Sequence, residues 1–135
     1  MRRRRLVALL TLMCALVSCS FATTCIWGKA FKTRKVCGVV RDFVGAEIPN
    51  AIVQVEKPET QNIIAESKTN AEGSFDVKNL AAGGYVIRIK VQGFADASQS
   101  FRLARLDKGN KCRQPIRVVM DVAGRCSLVE NAWKK

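Results

Sequence analysis

CGVVRDFVGAEIPNAIVQV (residues 37–55), TNAEGSF (69–75) and LAAGGYVIRIKVQGF (80–94) are the runs whose pattern decides the fold. Each is a short apolar alternation closed by Gly, Pro, Asn or Asp, the way a small all-β domain is written. Ala51, Val53 and Val55 share one face of a strand, with Gln54 and Glu56 on the other. Tyr85, Ile87, Ile89 and Val91 alternate with Val86, Arg88, Lys90 and Gln92, the period of a half-buried strand. Between residues 41 and 51, Asp42, Gly45 and Pro49 supply turn chemistry: a side-chain acceptor, a permissive φ and a fixed φ. Pro58, which has no N–H for a ladder, ends the strand before it.

Extending the same reading along the chain predicts seven strands, over 36–41, 51–57, 62–68, 74–77, 84–92, 98–106 and 113–121. Phe101 and Leu103 point inward from the sixth, and Ile116, Val118 and Met120 from the seventh. No convincing amphipathic helix interrupts them. Seven short strands with one apolar face each require two sheets, so the expected fold is an all-β, seven-stranded antiparallel-type sandwich. Residues 36–121 are assigned to it, with an arm over 23–35 and a tail over 122–135 that folds back on the body.

The N-terminus reads as a signal peptide. Arg2 to Arg5 form a positive start, and twelve almost unbroken apolar residues follow, too few for a bilayer that needs about 20. Small residues at Ser20 and Ala22 place cleavage after residue 22, giving a soluble exported product. Leu16, Val17, Ser18 and Cys19 instead resemble the bacterial lipobox, whose cysteine is lipidated, which makes 1–18 the signal and Cys19 the lipidation candidate. Both readings stand. The expected location is periplasmic, secreted, or on the envelope as a lipoprotein.

Of six cysteines, Cys25, Cys37, Cys112 and Cys126 lie beyond both cleavage points. An even number in an exported chain implies two disulfides. A four-thiolate metal site is the alternative, but it lacks any C-x-x-C pair, and the chain has no histidine to complete a site. Two disulfides would assist a body of this size, whose core is modest.

The formal net charge is +12. Setting aside the four arginines at positions 2–5, 19 cations face 11 acids. An anionic partner is one reading of the basic set Arg88, Lys90, Arg102, Arg105, Lys108, Lys111, Arg113 and Arg117, with Arg88, Lys90, Arg102, Lys108 and Lys111 as the candidate contacts. The other is a solvated outer face whose lysines discourage edge pairing. Nucleic acid is not indicated, because aromatics are few and no binding signature is present. A membrane enters only through the lipid anchor.

The absence of histidine excludes histidine-dependent triads and His-paired nucleophiles. Neither G-x-x-x-x-G-K-[ST] nor G-x-G-x-x-G occurs, and the acids are scattered without forming a calcium loop or a catalytic pair. No catalytic residue, cofactor or metal is expected.

The run G-x-V-x-D-x-x-G-x-x-x-P-x-A-x-V-x-V, from Gly38 through Val55, resembles the carboxypeptidase regulatory-like domain, a transthyretin-like (prealbumin-type) β-sandwich. Thr69, Gly73 and Phe75 follow as T-x-x-x-G-x-F, with Glu72 where that family often has Asp. Leu80, Gly83, Tyr85, Gly93 and Phe94 complete the order. The resemblance implies a scaffold without catalytic residues, accompanying a peptidase, a receptor or a surface protein. It also implies that the first and last strands are neighbours, hence a Cys37–Cys112 pair and, with it, Cys25–Cys126. The missing histidines argue against hydroxyisourate hydrolase, whose site resembles a His cluster. The expected function is a non-catalytic, exported cell-envelope module that binds a protein or glycan or acts structurally. The alternative is a small disulfide-bonded inhibitor or regulator of an exported peptidase, touching it through residues 43–49 or 108–111.

Overall fold

The computed structural model describes residues 29–104, 111–122 and 125–131. The signal segment, Cys19 and Cys25 lie outside them. Nine strands occur among the described residues: β1 (Phe31–Thr33), β2 (Val36–Asp42), β3 (Ile52–Glu56), β4 (Ile63–Lys68), β5 (Ser74–Val77), β6 (Gly83–Lys90), β7 (Ala97–Leu103), β8 (Ile116–Met120) and β9 (Leu128–Asn131). They form a five-stranded sheet, β1-β7-β6-β3-β4, and a four-stranded sheet, β5-β2-β8-β9.

Alternation decides which side of each strand is buried. Val53, Val55, Tyr85, Ile87, Ile89, Phe101 and Leu103 from one sheet meet Val36, Val40, Phe75, Val77, Ile116, Val118 and Met120 from the other in a single core. Each such aliphatic or aromatic side chain removed from water contributes about 1.5–3 kcal/mol. Phe101 stacks between Phe31 and Tyr85, with ring centroids 5.8 and 5.7 Å away. The Tyr85 hydroxyl donates to the Ala81 carbonyl at 2.9 Å, so the ring is buried without stranding its polar end.

The sandwich is mixed, not antiparallel, and larger than seven strands. β2 runs parallel to β8, with Gly38 opposite Ile116, and β1 runs parallel to β7. Both of the additional strands come from segments expected to be arm and tail. β1 has three residues and β9 four, too short for a period-2 pattern to announce itself. Adjacency of the first and last long strands, implied by the family resemblance, is present as the β2–β8 pair.

Two glycines make this topology feasible. A Cβ at Gly38 would run into the Ile116 carbonyl on the parallel neighbour and stand 2.9 Å from the Phe75 ring. Gly73 has φ +66° and would bring a Cβ to 2.6 Å from the Val40 carbonyl. Thr69, buried, accepts from the Ala51 N–H (2.8 Å) and donates to the Ile48 carbonyl (2.6 Å), joining the β2–β3 connection to the end of β4.

Candidate interaction surface

Strand direction sorts the connections into two ends. β1–β2, β3–β4, β5–β6 and β7–β8 close at one end; β2–β3, β4–β5, β6–β7 and β8–β9 close at the other. Among the described residues, the first end carries Lys32, Arg34, Lys35, Lys57, Lys78, Arg102, Lys111 and Arg113 against Glu56, Glu59 and Asp76. The opposite end carries Lys29, Arg41, Lys68, Lys90 and Arg125 against Asp42, Glu47, Glu72, Asp96 and Asp121. The excess positive charge therefore resides at one end.

The candidate contacts do not form one site. Arg88 is occupied: its Nε and Nη2 donate to Glu56 Oε1 and Oε2 at 2.9 and 3.2 Å. The hydrogen bond it donates to Glu56 holds the guanidinium pKa above its usual value, partial burial opposing it. Its charge is spent on a carboxylate that is only 8% exposed. Lys90 and Arg102 are exposed, but Arg102 lies opposite Gly84, at the other end of β6 from Lys90. Six residues at about 3.3 Å each separate those positions by roughly 20 Å. Lys111 is exposed beside the disulfide, and Lys108 lies outside the described residues.

That disulfide is Cys37–Cys112, with Cα atoms 6.0 Å apart. Cys37 is buried in β2 and Cys112 is exposed, so the bond ties the segment leading into β8 to the start of β2. Cys126 is also disulfide-bonded; its expected partner, Cys25, lies outside the described residues. Around Cys37–Cys112 gather Arg34 and Lys35 before β2, Lys78 after β5, and Lys111 and Arg113 on either side of Cys112. Lys35 pairs with Asp76 at 3.0 Å, while the second carboxylate oxygen of Asp76 is buried without a hydrogen bond. Arg34 and Lys78 were not among the sequence candidates. They lie far apart in the chain and reach the same end of one sheet through the β2–β5 register, in which Val36 faces Val77.

The opposite end presents a different surface. Phe43 and Val44, 60% and 73% exposed, cap a loop that is held from within. Asp42 Oδ1 accepts from the Val44 and Ala46 N–H groups at 3.0 and 2.8 Å, and Gly45, at φ +92°, donates to the Asp42 carbonyl. Arg41 and Glu47 close the loop with an exposed ion pair at 3.3 Å.

No group of three or more His, Cys, Asp or Glu side chains among the described residues is arranged to hold a metal. A family model, that of the carboxypeptidase regulatory-like domain, matches residues 35–113. The match runs from the edge of β2 to just past Cys112, so it includes both halves of the disulfide and stops short of β8 and β9. No curated protein matches the chain.

Proposed function

The chain belongs to the carboxypeptidase regulatory-like domain family, a non-catalytic domain family, and on that premise we propose that it is an exported, non-catalytic module of the cell envelope that binds a protein or glycan. The observation that carries this reading is the segregation of charge: the cations collect at one end of a disulfide-held sandwich, while the acids there are largely occupied by structural ion pairs. Binding surfaces are commonly built in this way, on segments positioned by a rigid scaffold. The signal segment and the disulfide chemistry support export, as a periplasmic or secreted protein or as a lipoprotein anchored through Cys19.

The Phe43–Val44 tip favours a second reading, a small disulfide-bonded regulator of an exported peptidase. Large apolar side chains displayed on a loop that is held in place suit insertion into a partner's pocket. Affinity capture from envelope extract with the purified mature chain separates the two. Recovery of glycan or a surface protein is expected. Recovery of an exported peptidase together with loss of its activity would replace the first reading with the second.

A further inference from the structure

We propose that the cationic end around Cys37–Cys112 is a binding site for a phosphate-bearing anionic glycan chain. It deepens the module reading and rests on it.

Three separate segments supply the site, and tertiary structure alone brings them together. Lys35 immediately precedes Val36 and Lys78 immediately follows Val77, and those two valines face each other across β2 and β5. Lys35 and Lys78 therefore continue adjacent strands side by side. The disulfide, with its 6.0 Å Cα separation, ties the segment of Lys111 and Arg113 to Cys37 at the start of β2, three residues after Arg34. Like charges on neighbouring strands oppose folding. Here one carboxylate, Asp76, offsets one member of the cluster, Lys35. Among the described residues, no carboxylate lies within ion-pair distance of Arg34, Lys78, Lys111 or Arg113. All four are exposed. A bound polyanion would relieve this repulsion, and the disulfide prevents the cluster from relaxing by moving apart.

The chemistry of the cluster suits a chain of oxyanions. Two guanidinium groups suit the bidentate geometry of phosphate, and the lysines add point charges along a chain. No aromatic side chain stands among these five positions to stack on a neutral sugar. Among the described residues, the exposed large apolar side chains Phe43, Val44 and Val122 lie on the opposite end, whereas Ile63 and Ile64 open β4 at the cationic end. A bilayer surface is therefore one arm of the test.

Linear inorganic polyphosphate is the probe, titrated into the mature oxidised chain and followed by calorimetry. Saturable binding is expected. If four cations engage, it should weaken roughly a hundredfold between about 50 and about 200 mM salt. Lys78→Glu with Arg113→Glu should reduce affinity by about tenfold or more, and the milder Lys78→Gln with Arg113→Gln by less, with thermal midpoints checked for each. Lys68→Glu with Lys90→Glu, at the opposite end, should leave affinity within about twofold. Because guanidinium pairs bidentately with carboxylate as well as with phosphate, polyglutamate of matched charge tests the phosphate preference directly, and the site as proposed requires it to bind about tenfold more weakly. Equal losses from reversals at both ends would overturn the site. So would equal affinity for polyglutamate, tighter binding to phosphatidylglycerol vesicles, or tighter binding to a single-stranded oligonucleotide. The same reversals applied to envelope capture separate this site from the module reading. Undiminished capture by the reversed variant sinks the site alone, whereas no capture by the unaltered chain sinks the module.

Discussion

Thr69 shows how much a single side chain decides here. Its hydroxyl both accepts from Ala51 and donates to Ile48, and the residue is 3% exposed. Thr69→Val keeps the shape and removes both bonds, leaving a backbone N–H and a carbonyl without partners. Destabilisation of about 1–3 kcal/mol is expected in urea denaturation. A neutral result would show that water reaches both groups. Arg88 is the second such residue. Its guanidinium pKa is raised by the hydrogen bond to Glu56, so the stabilisation it contributes is fully present below the ordinary arginine range. That stabilisation is lost only as pH rises through the higher folded value. A double-mutant cycle with Arg88→Met and Glu56→Gln should therefore return the same coupling at about pH 8 and at about pH 10. A coupling that fades across the lysine range would contradict the pairing. The alternation of β6 marked Arg88 as outward, and so it is; nothing in that alternation marked Glu56, far away in the chain, as its partner.

Among the elements, β9 carries more than the description of a tail implies. It pairs antiparallel with β8 and brings Val129 to the core. Just before it, Ser127 is 1% exposed, donates to the Ala95 carbonyl at 2.6 Å and accepts from the Asp121 N–H at 2.9 Å. Ser127 thereby locks the β8–β9 connection to the β6–β7 connection. Ser127→Ala should cost about 1–3 kcal/mol of stability, measured by urea denaturation. The backbone amide of Asp121, which donates to the Ser127 hydroxyl, should exchange faster with solvent in the variant than in the unaltered chain. A change confined to the last few residues, with Asp121 exchange unaltered, would return β9 to the status of an appendage. The long strands were legible because seven or eight residues of alternation outweigh local exceptions. β1 and β9 were not, since three or four residues are held by their neighbours rather than by any pattern of their own.

Across the whole molecule, the disulfide and the charge distribution are linked. Cys37 and Cys112 are 75 residues apart in sequence, so the bond closes a large loop of the unfolded chain. Replacing both by alanine should lower unfolding stability by about 2–5 kcal/mol. If β2 and β8 hold the cationic end in place without the bond, polyphosphate affinity will survive that replacement at low temperature. A parallel loss of affinity is expected instead, because the segment carrying Lys111 and Arg113 is tied at Cys112 and not by a strand. What the chain determined by itself was the class of fold: periodicity, turn residues and three ordered motifs dictate short strands with one apolar face, and such strands must pair into two sheets. The turn chemistry of Asp42 and Gly45 was likewise a local matter, visible in residue type. Parallel pairing of β2 with β8, the recruitment of β1 and β9, the engagement of Arg88 by Glu56 and the gathering of Arg34 and Lys78 beside Lys111 and Arg113 were decided only in three dimensions. The physical reason is common to all four. Register and direction are properties of pairs of strands distant in sequence, and charges act through space, whereas periodicity belongs to one strand at a time.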